Sequence, residues 1–384
     1  MAERSIPPAV LGVLRPPSGG LVTATRVDCS VKTAFDERRN TLKNDRIGLF
    51  LLTALLVGCG GSQPASKNGA GGTKAGNKIQ AVATVGMVAD LVHNVGGDYV
   101  EVTQICGTGV DPHGYMPTSD DVRDIMAAEV VFYCGLMLEG KMVSTLETLG
   151  KSKPVIAVTT AIDASRVISD SASERETESA AQIGGTVHGD PHVWNDVSMW
   201  SECVDVIREQ LSRQQPEHAD AFAANASTYQ KRLAELHEYG INAIATIPEE
   251  GRLLITSHDA FSYFGRAYGL DVQGIQGIST ESEAGLQQIN QLVDLLIKRD
   301  IKAVFVESSV SPKSVESLIE GAADKGHKVS KGGTLFSDAM GAEGSYEGTY
   351  IGMLDHILTT ATLALGGEAD AGGFQGKLSG AAEH

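Results

Sequence analysis

The stretch IQAVATVGMVADLVHNVGGDYVEVTQIC, residues 79–106, sets the pattern that the rest of the chain repeats. Its two β-rich ends predict strands, and its middle has apolar residues at helical spacing, which predicts a helix near 87–96. Two strands joined by a helix form the unit of a parallel sheet, because parallel neighbours need a long crossover connection. The sequence therefore favours an α/β fold from Ile79 onward.

The same alternation continues through two series. In the first, helices are predicted near 118–128 and 139–149, and strands in VVFYCG (130–135) and PVIAV (154–158). In the second, strands are predicted in RLLITS (252–257), LDVQGI (270–275), KAVFVES (302–308) and GTLF (333–336), and helices near 259–268, 285–299, 312–325 and 346–366. Residues 163–189 are polar and poor in apolar side chains, which predicts a mobile surface loop.

One long helix separates the two series. From Pro216, apolar residues recur at spacings of three and four, which places them on a single helix face: Phe222, Ala226, Tyr229, Leu233, Leu236, Gly240, Ile244 and Ile247. Pro248 ends the pattern. We therefore predict two α/β lobes, 79–214 and 249–366, each with a parallel sheet flanked by helices. A rigid linking helix, 215–248, joins them, and a flexible tail, 367–384, follows.

The N-terminal region has the features of an export signal. The uncharged run IGLFLLTALLVG, residues 47–58, follows a basic flank and is too short to span a bilayer as a helix. Leu56-Val57-Gly58-Cys59 resembles the bacterial lipobox, which predicts a signal peptide over 1–58, with extra residues at its start, and lipidation of Cys59. The Gly/Ser-rich composition of residues 59–78 then predicts a flexible tether. A buried helix beside an ordinary core cysteine is the alternative.

Charge and cysteine content narrow the function further. The formal net charge is −17, so the chain repels nucleic acid and attracts cations. Cys106, Cys134 and Cys203 remain after the lipobox cysteine, and their spacing does not favour metal ligation. Cys106 and Cys134 end apolar runs, so core packing and a disulfide both stay open.

The tripeptide Asp-Pro-His occurs twice, in DPHGYMPTSDDV from Asp111 and in DPHVWNDVSMW from Asp190. Each proline stiffens the backbone next to a histidine, His113 or His192. His258 follows the strand LLITS directly, and Asp338 follows the apolar run GTLF. Parallel sheets collect ligands beyond the carboxyl ends of their strands. We therefore predict that these three imidazoles and one carboxylate meet in the cleft between the lobes and bind Zn²⁺ or Mn²⁺.

Several nearby residues have more than one interpretation. Glu307 ends the strand KAVFVES and could accept the ring N–H of a ligating histidine, or form an ordinary ion pair. Asp338 could also cap the last helix. Asp111 and Asp190 are interpreted as scaffold around the site. A structural or surface role is predicted for His93, His218, His237, His327 and His356.

Six segments together resemble the metal-binding proteins of zinc and manganese ABC importers, in particular the TroA-like branch. They are DPHGYMPTSDDV, VVFYCGLMLEGKM, GDPHVWNDVSMW, TSHDAFSYFGRAYGL, VFVESSVSP and LFSDAMGAEGSYEGTYIGM. The resemblance implies one metal ion held by His113, His192, His258 and Asp338. Manganese-preferring members carry glutamate where this chain has His258. Zinc-specific members often have a histidine-rich loop, whereas residues 163–189 contain only His188.

The predicted function is high-affinity capture of zinc and/or manganese outside the cytoplasm and delivery to an ABC permease. This function requires no catalysis. The lipobox-like residues predict that the protein is lipid-anchored to a bacterial membrane, and we expect a monomer. The donor set itself leans towards zinc, since affinity order favours Zn²⁺ over Mn²⁺. A zinc hydrolase is an alternative, although Asp338 would fill the position that a reactive water needs. A surface adhesion lipoprotein is a third class.

Overall fold

The computed structural model describes residues 78–169, 189–282 and 284–378. The predicted signal peptide, Cys59 and almost all of the tether lie outside these ranges, as does His188 in the polar loop. Among the described residues, no helix combines the length and the apolar character needed to cross a bilayer.

The N-terminal lobe contains a four-stranded parallel sheet with the order β2-β1-β3-β4. Its strands are β1 (Ile79–Val85), β2 (Val100–Cys106), β3 (Val130–Tyr133) and β4 (Val155–Ala157). Its helices are α1 (Gly86–Gly96), α2 (Ser119–Ala127), α3 (Val143–Leu149) and α4 (Val197–Gln214). Strand β1 is central in the sheet and is buried along almost its whole length, as its apolar sequence predicts.

The long helix α5 spans Ala219–Ala245, 27 residues, or about 40 Å at about 1.5 Å per residue. It begins four residues later than the predicted range 215–248, because Pro216 opens a separate 3₁₀ turn, and it ends three residues earlier. Its buried face carries the predicted residues from Phe222 to Ile244. This face packs against α1 and α4 of the N-terminal lobe and against α6 and α9 of the C-terminal lobe.

The C-terminal lobe has two parallel strand pairs, β5–β6 and β7–β8, with β5 lying beside β7. Its strands are β5 (Leu253–Thr256), β6 (Asp271–Gly274), β7 (Ala303–Glu307) and β8 (Ser330–Leu335). Its helices are α6 (Ser262–Tyr268), α7 (Leu286–Lys298), α8 (Lys313–Asp324) and α9 (Tyr350–Ala364). Helix α9 begins later than predicted because its N-cap is Thr349, whose side chain accepts a hydrogen bond from the N–H of Gly352.

The predicted flexible tail differs from the structure over residues 367–378, which form turns against α9. The carboxylate of Asp355 on α9 accepts the N–H of Phe374 at 2.7 Å, and Leu378 is buried. A glycine-rich composition predicts flexibility, but here a buried carboxylate organises the turns.

The three cysteines among the described residues, Cys106, Cys134 and Cys203, are buried and free. The disulfide alternative is therefore wrong, and the thiols serve as core packing. Burial raises the pKa of the Cys106 thiol to about 12, so this thiol is inert at neutral pH.

Candidate metal centre

His113, His192, His258 and Asp338 come together in one buried cluster. Each can offer one donor atom such that all four atoms lie within 4.8 Å of one another. His258 follows β5 and Asp338 follows β8, so both lie beyond carboxyl strand ends, as predicted. His113 lies between β2 and α2, and His192 lies just before the 3₁₀ turn Val193–Asn195 that leads into α4.

The donor atoms are arranged around the Nε2 atom of His192. This atom is 3.2 Å from Nε2 of His113 and 3.4 Å from Nε2 of His258. The two oxygens of Asp338 lie 3.3 Å from Nε2 of His192 and 3.3 Å from Nε2 of His258. His192 and His258 are fully buried, whereas His113 keeps 6% of its surface exposed.

Carboxylates behind two of the histidines define their tautomers. Nδ1 of His192 lies 2.7 Å from Oδ1 of Asp190, and Nδ1 of His258 lies 2.5 Å from Oε2 of Glu307. A carboxylate accepts hydrogen bonds, so each Nδ1 carries the proton and donates it. The Nε2 lone pairs of both rings therefore point at each other in the cluster. A cation between them, either a proton or a metal ion, removes this repulsion.

The charges in the cluster shift the pKa values of its members strongly. Burial lowers the pKa of His113 to about 4. Burial would also lower the pKa of His192, but the Asp190 and Asp338 carboxylates outweigh it and raise the pKa to about 9. For His258 the same opposition, with Glu307 and Asp338 as the carboxylates, leaves the pKa well above its usual value.

Asp338 is placed to act as a ligand and does not cap α9. Burial alone would raise its pKa, but His258 and His192 hold the pKa well below the usual range, so it is a carboxylate. Its Oδ1 is buried and lies 3.3 Å from Nε2 of His192. Because Thr349 caps α9, the capping alternative for Asp338 is wrong. A buried carboxylate whose two oxygens each lie 3.3 Å from an imidazole Nε2 fits a cation site.

The remaining predicted residues lie around the cluster or away from it. Asp111 supports the backbone beside a proposed ligand, because its Oδ1 accepts the main-chain N–H of His113 at 2.9 Å. This agrees with its interpretation as scaffold around the site. Two of the other described histidines bond to carbonyls away from the cluster: His327 contacts that of Ile301, and His356 contacts that of Thr334. None of the five histidines that we interpreted as structural belongs to the cluster.

Sequence reasoning missed Trp194 and Ser309. The indole ring of Trp194 lies edge-on to His192 at a centroid distance of 5.2 Å, and its Nε1–H donates to the carbonyl of Ser337 at 3.0 Å. The hydroxyl of Ser309 donates to Asp338 at 3.4 Å. Both residues lie within segments that carry the family resemblance, Trp194 in GDPHVWNDVSMW and Ser309 in VFVESSVSP, and this is the signal that points to them.

Comparisons with known proteins converge on one class. A family model described as the periplasmic component A of zinc-uptake complexes (ZnuA) matches residues 81–364. The chain is 45% identical over 317 residues to the manganese-binding lipoprotein MntA of Bacillus subtilis (strain 168), an alignment that covers 83% of this chain and 97% of that protein. It is 40% identical over 291 residues to the zinc-binding protein TroA of Treponema pallidum (strain Nichols), covering 76% of this chain and 90% of that protein.

A solved structure shows the same architecture. The periplasmic zinc-binding protein TroA from Treponema pallidum aligns with a TM-score of 0.69 at 39% identity, and the alignment covers 75% of this chain and 99% of that one. The predicted two-lobed α/β fold with parallel sheets is thereby confirmed.

Proposed function

The chain belongs to the family of the periplasmic component A of zinc-uptake complexes, and from this premise we propose that it captures Zn²⁺ or Mn²⁺ and delivers the ion to an ABC permease. In this proposal His113, His192, His258 and Asp338 are the ligands of one ion, which is the cargo of the protein. The predicted family is confirmed, while the roles of these four residues are part of the proposal.

The observation that carries the proposal is the convergence of three imidazole Nε2 atoms and one carboxylate in a buried place. Two of the rings are backed by carboxylates, Asp190 and Glu307, which orient them and increase their basicity. A divalent ion among these ligands would be balanced by Asp338 in direct contact and by Asp190 and Glu307 behind the rings. Such a set is suited to high affinity.

The donor set supports zinc more strongly than manganese. Imidazole suits Zn²⁺, and the general affinity order places Zn²⁺ above Mn²⁺ for a given nitrogen and oxygen site. The two relatives are named for different metals, manganese for MntA and zinc for TroA, although their identities to this chain are similar. We therefore propose that the protein binds both ions and prefers zinc in direct competition.

The alternative functions are not favoured. The relatives are named as metal-binding proteins, and the family is a component of metal uptake, so the protein is not an enzyme. With Asp338 as the fourth ligand, as proposed here, no coordination position remains for the zinc-bound water that a hydrolase needs. A surface adhesion role is not favoured as the main function, because the names of these relatives state metal binding.

We further propose that the protein works as a monomer anchored outside the cytoplasmic membrane through a lipid on Cys59. The lipobox-like residues Leu56 to Cys59 support this anchor. Incorporation of a labelled fatty acid into the full chain in a bacterial host tests it. Label should enter the wild type and should be absent from Cys59→Ser, and equal labelling of both would refute the anchor.

Metal binding itself is tested by elemental analysis of the full chain purified without chelator, followed by competition between Zn²⁺ and Mn²⁺. We expect one bound ion per chain and preferential retention of Zn²⁺. His258→Ala should abolish stoichiometric binding. The matched control is His237→Ala, because His237 contacts the hydroxyl of Tyr268 and lies outside the cluster. Binding that survives unchanged in His258→Ala would remove that residue from the site.

A further inference from the structure

The four proposed ligands are not equally fixed in place. We propose, resting on the proposed function, that His192, His258 and Asp338 form a preassembled half-site and that His113 is the ligand that closes it. Trp194 is the positioning residue that keeps the three half-site ligands at fixed distances from one another. By sequence, His192 belongs to the same lobe as His113. The contacts around it instead attach it to the other two ligands.

The segment from Asp190 to Asn195 is bonded directly to the C-terminal lobe. The indole N–H of Trp194 donates to the carbonyl of Ser337 at 3.0 Å, and the side-chain amide of Asn195 donates to the carbonyl of Ala260 at 2.9 Å. The hydroxyl of Tyr263 on α6 donates to the carbonyl of Asp190 at 2.8 Å. All three bonds are buried, where a donor or acceptor that loses its partner has no water to replace it.

Two of these acceptors lie next to the C-terminal ligands in the chain. Ser337 immediately precedes Asp338, and Ala260 lies two residues after His258. Trp194 is also fixed from a third side, because the hydroxyl of Tyr350 on α9 donates to its carbonyl at 2.7 Å. The short turn after His192 is therefore bonded to both loops that carry the other two ligands. Hydrogen bonds within the protein therefore set the distances among His192, His258 and Asp338.

The loop that carries His113, residues 107–118 between β2 and α2, is attached to the C-terminal lobe more loosely. Its hydrogen bonds to the C-terminal lobe are Thr108 to the carbonyl of Gly341 at 3.1 Å and Thr280 to Asp111 at 2.5 Å, both only partly buried. Met116, three residues after His113, is 68% exposed. Bonds that reach solvent open at lower free energy than buried ones.

The ring of His113 also lacks the support that the other two rings have. Nδ1 of His192 donates to Asp190 and Nδ1 of His258 donates to Glu307. Among the described residues, no carboxylate receives Nδ1 of His113, and its only hydrogen-bonding ring contact is with His192. An imidazole without such an anchor keeps more rotational freedom. His113 is therefore the ligand that can leave or arrive without disturbing the other three.

This arrangement gives an order to capture and release. An ion can bind first to His192, His258 and Asp338 with water in its fourth position, an arrangement that Zn²⁺ accepts. His113 then replaces the water and closes the site. Release runs in reverse, so the rate at which His113 departs limits dissociation.

Ligand variants measured by chelator competition with Zn²⁺ test this order. We expect His113→Ala to keep one zinc ion per chain, with an affinity reduced by about tenfold to a thousandfold and with faster transfer of zinc to the chelator. His192→Ala and His258→Ala should lose far more affinity. The inference is overturned if His113→Ala loses zinc as completely as His192→Ala does. A wild type that binds no zinc or manganese would instead refute the proposed function.

The positioning role of Trp194 is tested with Trp194→Phe, which keeps an aromatic ring but removes the N–H donor. Bound Co²⁺ serves as the probe, since its visible spectrum depends on ligand geometry. We expect an altered cobalt spectrum in Trp194→Phe. We also expect the substitution to reduce zinc affinity by the same factor in the wild type and in His113→Ala, because it acts on the half-site and not on His113. Trp200→Phe, at the neighbouring buried tryptophan, should leave the spectrum unchanged.

Tyr263→Phe provides an independent check in case Trp194→Phe folds poorly. It removes only the hydroxyl that donates to Asp190 and that also accepts the N–H of Ile168. It should weaken zinc binding in the wild type and in His113→Ala alike. Unchanged cobalt spectra and zinc affinities in both the Trp194 and the Tyr263 variants would show that these residues serve the fold alone.

Discussion

Glu307 holds His258 at two points: its Oε2 lies 2.5 Å from the ring Nδ1, and its Oε1 accepts the main-chain N–H of the same residue at 2.9 Å. Both side chains are buried. This pairing fixes the direction of the ring and leaves Nε2 free to bind a metal ion. Of the two interpretations of Glu307 that the sequence left open, the geometry supports the one in which it orients a proposed ligand.

Glu307→Gln should therefore weaken zinc binding by about 10- to 100-fold, the usual effect of removing such a partner. The amide can accept one hydrogen bond but supplies no negative charge to the imidazole. Competition titration against a chelator measures the change. Glu316→Gln is the control, because Glu316 forms an exposed ion pair with Lys331 at 3.1 Å. Equal affinities for the two variants would leave Glu307 with a structural role only.

Zinc binding should release protons at neutral pH. In the absence of metal, burial lowers the pKa of His192, but Asp190 and Asp338 outweigh burial and raise the pKa to about 9. At pH 7 the ring is thus protonated, and an incoming ion must displace that proton. The apparent affinity should rise with pH up to about 9 and fall as pH is lowered.

Calorimetry in two buffers with different ionisation enthalpies measures this proton release at pH 7. The two observed binding enthalpies should differ by the number of protons released multiplied by the difference between the ionisation enthalpies of the two buffers. Asp190→Asn, which removes one of the carboxylates that raise the pKa of His192, should reduce the number of protons released. Binding enthalpies that agree between buffers for the wild type would contradict the prediction.

Tryptophan fluorescence should report metal binding through one residue. The chain has two tryptophans. The ring of Trp194 lies 5.2 Å from that of His192, whereas Trp200 contacts Trp194 at 6.4 Å and does not contact the cluster. Coordination of a metal ion by His192 changes the electric field at the indole ring of Trp194. Zinc should therefore change the tryptophan fluorescence of the wild type and of Trp200→Phe. A response that persists in Trp194→Phe would place the metal elsewhere.

The features that the sequence predicted well are those encoded locally. The strand and helix alternation from Ile79 is visible in residue periodicity, and His258 follows a recognisable strand end. The turn after His192 could not be predicted, because Trp194 bonds to Ser337, 143 residues away. The folded turns of residues 367–378 depend in the same way on Asp355, a residue of α9 whose burial no local pattern indicates.

The linking helix should be intolerant of added volume at Gly240. A Cβ atom at this position would lie 2.8 Å from Cδ2 of Leu358 on α9 and 2.8 Å from Cε1 of Tyr268 on α6. Alanine favours a helix by about 1 kcal/mol over glycine, but overpacking a buried contact costs about 1–3 kcal/mol. Gly240→Ala should therefore lower the free energy of unfolding by about 1 kcal/mol, because the steric cost exceeds the gain in helix propensity.

The matched control is Gly321→Ala in α8, where the added Cβ would meet only Cγ2 of Val293, at 3.1 Å. There the gain in helix propensity should dominate and raise the free energy of unfolding by about 0.5 kcal/mol. Urea unfolding of the metal-free variants compares the two midpoints, since bound metal would add its own stabilisation. If Gly240→Ala raises the midpoint as much as Gly321→Ala does, the contact of α5 with α6 and α9 is looser than the distances indicate. In that case α5 would not act as a rigid link between the lobes.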